Sequence, residues 1–405
     1  MLEVNFDAKC YLSQSPSLPR GTSPLKHFLE RGAREGRKPN VSFDPVFYLR
    51  VNNEVAEAGL NPLVHYVRWG AREKRLIHPP LTVDNPTRIL AARPTLPSRE
   101  EWALALPHRP GEASLDVIVP VYKGRADTLR CLHRVLTARN ETPFELIVID
   151  DCSPDPELSR DLRAMAERAL FTYLHNESNL GFVGAVNCGM SLHPDRDVIL
   201  LNSDTEVFGD WIDRLRRVGS QHERAGTITP FSNNATICSY PWFARDNEML
   251  LELNFDELDK LACQVNGDAI VDLPTAVGFC MYIKRECLTE TGMFNQELFG
   301  KGYGEENDFC RRAHDLQWRN VLACGVFVRH TGGASFQHEK SERVEQALKA
   351  LEAVHPGYLQ TVRAFLCVLW PPTCYSALSA AHSAAVLPLC DRPELGISIS
   401  WRVPA

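Results

Sequence analysis

From residue 114 onward, short apolar runs alternate with stretches whose apolar residues recur at helical spacing. "LDVIVPVY" (115–122), "FELIVIDD" (144–151), "FTYLHN" (171–176) and "DVILLNSD" (197–204) read as buried strands. "TLRCLHRVLTA", "ELSRDLRAMAERA", "VGAVNCGMSL" and "DWIDRLRRVGS" fall between and after them as amphipathic helices. This alternation predicts an α/β domain, with a mostly parallel central sheet and helices flanking both faces. Ligands of such sheets bind beyond the carboxyl ends of the strands. The polar residues that end each apolar run are therefore the candidates for chemistry.

The first eighty residues follow another pattern, and it occurs twice. "FDAKCYL" from Phe6 matches "FDPVFYL" from Phe43, and "SPLKHFLERGAREGR" from Ser23 matches "NPLVHYVRWGAREKR" from Asn61. Leu25, Phe28 and Leu29 lie on one helical face, as do Leu63, Tyr66 and Val67, with Gly32 and Gly70 placed to stop the helices. The offset of about 37 residues is that of stacked helical units. A proline-rich stretch without sustained periodicity comes next. The chain thus divides into a two-copy helical repeat module (1–80), a linker (81–113), the α/β domain (114–345), and a C-terminal helix with a tail (346–405).

Composition narrows the function. A net charge of −7 lacks the basic surface of a nucleic-acid binder, so no nucleic acid polymer is expected as partner. Thirteen scattered cysteines without a CxxC pair or a secretory leader read as reduced thiols in a cytoplasmic protein. Leu366 to Cys390 lacks acidic and basic residues, but Pro371-Pro372 and its serines argue against a spanning helix.

Four strand ends carry the chemistry. Asp150 and Asp151 close "IVIDD", where buried carboxylates need donors or a cation. A nucleoside supplies donors, but Ser153 and Asp155 also suit a helix cap. "NLGFVGAVNCG" (179–189) offers Gly181 and Gly184 for close backbone approach, with Asn179 and Asn187 as amides. A tight turn with close helix packing explains it equally. In "LLNSDTEV", strand alternation puts Asn202, Asp204 and Glu206 on one face, a donor set suited to Mg²⁺ or Mn²⁺. His330 ends another apolar run in "FVRHTGGAS". Finally, "GYGEENDFCRR" packs Glu305, Glu306 and Asp308 at a helix start, where the dipole favours acids.

In this order, "VPVYKG", "IDDCSPD", "NLGFVGAVNCG", "LLNSDTEV", "GYGEENDFCRR" and "VRHTGGAS" resemble the family 2 glycosyltransferases of GT-A fold, over about residues 115 to 336. "TPFSNNATICSYP" and "DLPTAVGFCMYIKRE" are similar to bacterial members that build rhamnose-rich or O-antigen-type cell-envelope polysaccharides. The resemblance implies a sugar transfer from a nucleotide-diphosphate donor, UDP- or dTDP-linked, to a hydroxyl of a saccharide or lipid-linked saccharide. It implies inversion at the sugar and dependence on Mg²⁺ or Mn²⁺. A peripheral position at the inner face of the cytoplasmic membrane goes with a lipid-linked acceptor.

The same resemblance implies residue roles. Pro120, Val121 and Tyr122 would line the nucleoside pocket with Asp150 and Asp151, helped by Asn179, Gly181, Asn187 and Ser203. Asp204 and His330 would hold the metal, although Asn202 replaces the first aspartate of the usual DxD motif. Glu306 would be the catalytic base, with Asp308 and Arg312 beside it, while Glu305 is left as a capping or solvated charge. Asn233, Asn234 and Gly278 would touch the donor sugar. Two other classes stay open. A sugar nucleotidyltransferase would release pyrophosphate, and an inactive sugar-nucleotide-binding scaffold would work through its repeats.

Overall fold

The computed structural model describes residues 6–14, 18, 22–40, 43–73, 75, 77, 94–105, 110–241, 247, 253–300, 302–332, 340–368, 374–379 and 381–382. They fall into two compact units: Met1–Asn85 with Gly357–Pro372, and Pro86–Pro356 with Thr373–Ala405.

In the helical unit the repeat extends to side-chain contacts. Ala8–Ser13 and Pro45–Val51 open the two copies. Pro24–His27 and Pro62–His65 come next, each with proline in the first turn and capped by Ser23 or Asn61. Each then passes into a π turn, Phe28–Gly32 or Tyr66–Gly70. Tyr11 Oη meets His27 Nδ1 at 2.6 Å, and Tyr48 Oη meets His65 Nδ1 at 2.9 Å. A Cβ on Gly32 would lie 1.8 Å from Tyr11 Oη, and one on Gly70 2.2 Å from Tyr48 Oη. These glycines admit a tyrosine; neither adopts the left-handed stop that the sequence pattern suggests. The helix Tyr358–Val368 packs on Ala8–Ser13 in the same unit. Cys10 is disulfide-bonded, which corrects the reading of every cysteine as reduced.

The α/β unit holds an eight-stranded sheet. Its strands are β1 (Leu115–Val121), β2 (Phe144–Asp150), β3 (Thr172–His175), β4 (Asp197–Leu201), β6 (Ala225–Phe231), β7 (Ile270–Leu273), β8 (Cys280–Ile283) and β9 (Arg319–Phe327). A separate two-stranded piece pairs β5 (Thr205–Glu206) with β10 (Arg329–His330). The large sheet runs β3-β2-β1-β4-β8-β6-β9-β7. Among these strands only β8 and β7 are antiparallel to their neighbours. The helices Arg125–Thr137, Pro156–Glu167, Gly181–Met190 and Trp211–Gln221 fall where the apolar spacing predicts them. Because β8 runs against β4 and β6, its start lies at the same edge as the carboxyl ends of β1, β2, β4, β6 and β9.

The β6–β9 ladder is irregular near that edge. Pro230 pairs with Ala323 but Phe231 pairs with Phe327, so β9 bulges between them. The bulge takes the Gly325 carbonyl and the Phe327 amide out of the ladder. Arg214 donates to the former at 2.6 Å, and Asp259 accepts from the latter at 2.9 Å. Arg214 and Asp259 are themselves a buried ion pair at 2.7 Å.

Part of the expected tail packs onto this unit. Tyr375 donates to the Pro241 carbonyl, and Tyr240 Oη meets His382 Nδ1 at 2.8 Å. No helix among the described residues is long and apolar enough to cross a membrane. Much of Leu366 to Cys390 lies outside those residues.

Candidate active site

Asp150, at the end of β2, is wholly buried. It accepts from the Ser153 amide (2.8 Å), the Ser159 hydroxyl (2.6 Å) and the Tyr173 hydroxyl (2.8 Å). Burial alone would raise its pKa, but these donors and His175 hold it below the ordinary value. Asp151 accepts from the Asn176 amide side chain and from the Leu180 and Gly181 amides, each at 2.8 Å. Both carboxylates are held in place by protein donors at the end of β2.

The glycine-rich segment behaves similarly. Gly181 takes a φ of +77°, and its amide also donates to Asn179 Oδ1 at 2.9 Å. A Cβ on Gly189 would lie 2.7 Å from Ile118 Cγ2, so this glycine seats the helix on β1. Asn187 binds both the carbonyl and the amide of Phe294, at 2.9 and 3.1 Å. It thereby anchors the loop at Phe294. Pro120 and Tyr122 remain half-buried at the end of β1, with Val121 buried between them. Lys123 Nζ sits 5.2 Å from the Tyr122 ring centre.

Asn202, Asp204 and Glu206 do not converge. β4 ends at Leu201 and the chain turns through Ser203 and Asp204 before β5 begins, so strand alternation is lost. Glu206 is buried against Arg134 and Arg329, at 3.1 and 2.6 Å. Asp204 instead faces His330, with Oδ1 and Nε2 3.3 Å apart. His330 belongs to β10, beyond the end of β9, because β10 pairs antiparallel with β5 and sets His330 opposite Thr205. Burial presses the Asp204 pKa upward, but the charge and hydrogen bond of His330 outweigh it, and the carboxyl stays below its ordinary value.

His330 is held from several sides. Its Nδ1 lies 2.6 Å from the Asn234 carbonyl, which can only accept, so Nδ1 carries the proton and Nε2 points to Asp204. Asn233 bonds both the amide and the carbonyl of His330, at 2.8 and 2.9 Å. Phe279 stacks on the imidazole at 5.4 Å and 20°. Asn233 and Asn234 thus surround the histidine, with no sugar contact required to explain them. Phe279 was not legible as a site residue, since a single phenylalanine before a strand carries no signal.

The neighbouring Gly278 leads to the acidic helix. A Cβ there would first meet the Glu306 side chain, with the carboxyl carbon at 3.8 Å and Oε1 at 4.0 Å. The helix Glu305–Asp315 starts after Gly302, Tyr303 and Gly304, which all have positive φ. A tyrosine at +74° is strained by roughly 1–2 kcal/mol. Glu306 is half-buried and its Oε2 has no hydrogen-bond partner. Burial raises its pKa against the pull of the amides at the helix start. Glu305 is buried, not solvated, and its pKa is pushed well up by burial and then by Glu306. Asp308 and Arg312, expected beside the base, form a staple. Arg312 donates to Asp308 at 2.8 Å and to the carbonyls of Thr291 and Met293, at 2.5 and 2.9 Å.

Asp204 and His330 fit a cation by their geometry. One carboxylate and one imidazole, 3.3 Å apart, match adjacent ligands of a hard divalent ion, which lie roughly 3 Å apart at usual bond lengths. The donor set leaves positions for water and phosphate oxygens. A second acidic cluster, Asp116, Glu145 and His193, lies at the amino ends of β1 and β2. There Arg196 bonds Asp116 at 3.0 Å and Glu145 at 2.6 Å, so a guanidinium already bridges the two carboxylates and offsets one of their charges.

Residues 116–257 match the family described as "Glycosyl transferase family 2". The chain is 28% identical over 208 residues to "Putative polypeptide N-acetylgalactosaminyltransferase 13" of Drosophila melanogaster, covering 47% of this chain and 36% of that protein. The structure of GalNAc-T7 with UDP, GalNAc and Mn²⁺ aligns with TM-score 0.47 and 16% identity, over 61% of this chain and 49% of that one. Mannosyltransferase PcManGT from Pyrobaculum calidifontis, in complex with GDP-Man and Mn²⁺, aligns with TM-score 0.43 and 16% identity, over 73% and 84%.

Proposed function

With residues 116–257 belonging to glycosyl transferase family 2 and carried on a GT-A fold, we propose that this protein transfers a sugar from a nucleotide-diphosphate donor to an acceptor hydroxyl with inversion. The observation that carries the reading is the buried, unpartnered Oε2 of Glu306, beside Gly278 at the edge where Asp204 faces His330. A buried acceptor without a donor costs free energy unless a ligand supplies one. An acceptor hydroxyl is such a donor.

In the proposed step the hydroxyl oxygen attacks the anomeric carbon while the bond to the diphosphate oxygen breaks. The electron pair leaves with the nucleoside diphosphate, and the proton passes to Glu306. The upward pKa of Glu306 makes it a stronger base than an ordinary carboxylate once ionised. Mg²⁺ or Mn²⁺, when bound by Asp204 and His330, would offset charge on the leaving diphosphate. Pro120 and Tyr122 offer half-exposed surface for the base at the end of β1.

A saccharide hydroxyl is the first acceptor class, as in cell-envelope polysaccharide synthesis. The name of the Drosophila relative favours a second, a polypeptide hydroxyl. A panel of UDP-, dTDP- and GDP-sugars, assayed for nucleoside diphosphate release with saccharide and peptide acceptors, tests the reading. Release of nucleoside diphosphate, lost in excess chelator and restored by Mn²⁺ or Mg²⁺, is expected. Pyrophosphate release from a triphosphate would overturn it in favour of nucleotidyl transfer.

A further inference from the structure

His330 is the second residue of a two-residue strand, and so short a strand does not by itself fix a side chain. Its N–H and C=O are both bonded by the side-chain amide of Asn233, at 2.8 and 2.9 Å. This two-way bond copies a rung of a β-ladder. Since the N–H and C=O of one strand residue point to the same side, Asn233 serves the side away from β5. Asn233 is 4% exposed, and its backbone carbonyl accepts from the Asn247 amide at 2.9 Å. The clamp is therefore itself held.

Asn234 supplies the other constraint. Its carbonyl meets His330 Nδ1 at 2.6 Å, and Gly332, at φ +68°, lets the Asn234 side chain pass where a Cβ would lie 2.1 Å from its Nδ2. The loop around these residues is closed on itself. Ser232 donates to the Cys238 carbonyl at 3.1 Å, Tyr240 donates to the Ser232 carbonyl at 2.7 Å, and Ala235 donates to Ser239 Oγ at 2.8 Å.

We propose that Asn233 is a positioning residue for a metal ligand: its side chain fixes the backbone of His330, while the Asn234 carbonyl fixes the ring tautomer, so that Nε2 is presented to a cation shared with Asp204. This rests on the cation reading of Asp204 and His330, and assigns the two asparagines to the histidine in place of the donor sugar. A histidine ligand whose other nitrogen is bound to a carbonyl is oriented in advance, and loss of such support typically weakens metal binding.

The test is a Mn²⁺ titration of the full chain, monitored by the free-ion electron spin resonance signal, on the parent, Asn233→Ala, Asp204→Asn and His330→Ala proteins. Asn233→Ala should bind Mn²⁺ roughly 10–100-fold more weakly, and His330→Ala should lose at least as much. Parent-like affinity in Asn233→Ala, with loss in the other two, overturns the positioning role but leaves the cation reading. Parent-like affinity in all three removes both. Should Asn233→Ala fail to fold, ring-nitrogen NMR of the unaltered, metal-free protein decides, with His330→Asn used for assignment. A proton on Nδ1 in the neutral ring supports the proposal, and a proton on Nε2 overturns it.

Discussion

His355 Nε2 lies 2.8 Å from Asp308 Oδ1, so the helix Lys340–Val354 ends against the acidic helix through this one carboxylate. Arg312 takes the other oxygen at 2.8 Å. Asp308→Ala strands both partners, although the partly exposed Arg312 regains water. A loss of about 1.5–3 kcal/mol in urea unfolding is expected. A fall in kcat by orders of magnitude with unchanged unfolding would place Asp308 in the chemistry instead.

Glu305 and Glu306 should separate by pH. Folded Glu305 keeps its proton to higher pH than the unfolded chain, whose carboxyl titrates near the ordinary 4.5. Between those two values the unfolded state binds fewer protons, so stability falls as pH rises. Glu305→Gln should flatten that decline and raise the melting temperature at neutral pH. An unaltered slope would mean that Glu305 titrates normally. The acidic limb of the rate profile should lie above the ordinary carboxyl range and persist in Glu305→Gln. In Glu306→Gln, turnover should drop by roughly 10²–10⁴-fold.

Gly278 has room for a methyl group as far as the protein is concerned, and its backbone is not left-handed. Gly278→Ala should therefore fold normally, with stability unchanged or raised by about 0.4–1 kcal/mol. The added Cβ would stand against the Glu306 carboxylate. A decrease in kcat/KM of about tenfold or more, near 1.4 kcal/mol, is expected. Parent-like kinetics would show that substrate does not pass there.

Asp259 and Arg214 are 2% and 3% exposed, and each also bonds the bulge in β9. Removing the aspartate leaves the buried guanidinium with the exposed carboxylate of Asp210, 2.9 Å from its Nε, as counter-charge. Asp259→Ala should cost about 3–5 kcal/mol by denaturant unfolding. Because the bulge precedes β10, Mn²⁺ binding should weaken in the same variant. A stable variant with parent-like Mn²⁺ affinity would dissociate the bulge from the site.

Local chemistry decided much of this protein without help. The apolar runs and helical spacing of residues 115–221 were legible because each strand and helix there buries a face that repeats within a few residues. The positions of Asp204, Glu306 and His330 beside strand or helix ends came from the same periodicity. The doubled tyrosine, histidine and glycine of the N-terminal repeat were likewise visible as text.

Periodicity does not encode where a strand stops pairing or which donors a carboxylate finds. β4 ends two residues before Ser203, so Glu206 turns to Arg134 and Arg329 instead of joining Asp204. His330 reaches Asp204 only because β9 bulges and β10 crosses to β5. Asp150, Asp151 and Asn187 look like ligands in the sequence, and folding gives them protein partners 3 to 107 residues away that no local pattern shows. The sequence alone therefore determined the α/β framework and the types of residue at its edge. Tertiary structure decided which of them keep an unsatisfied atom, because hydrogen-bond partners distant in sequence are brought together only by folding.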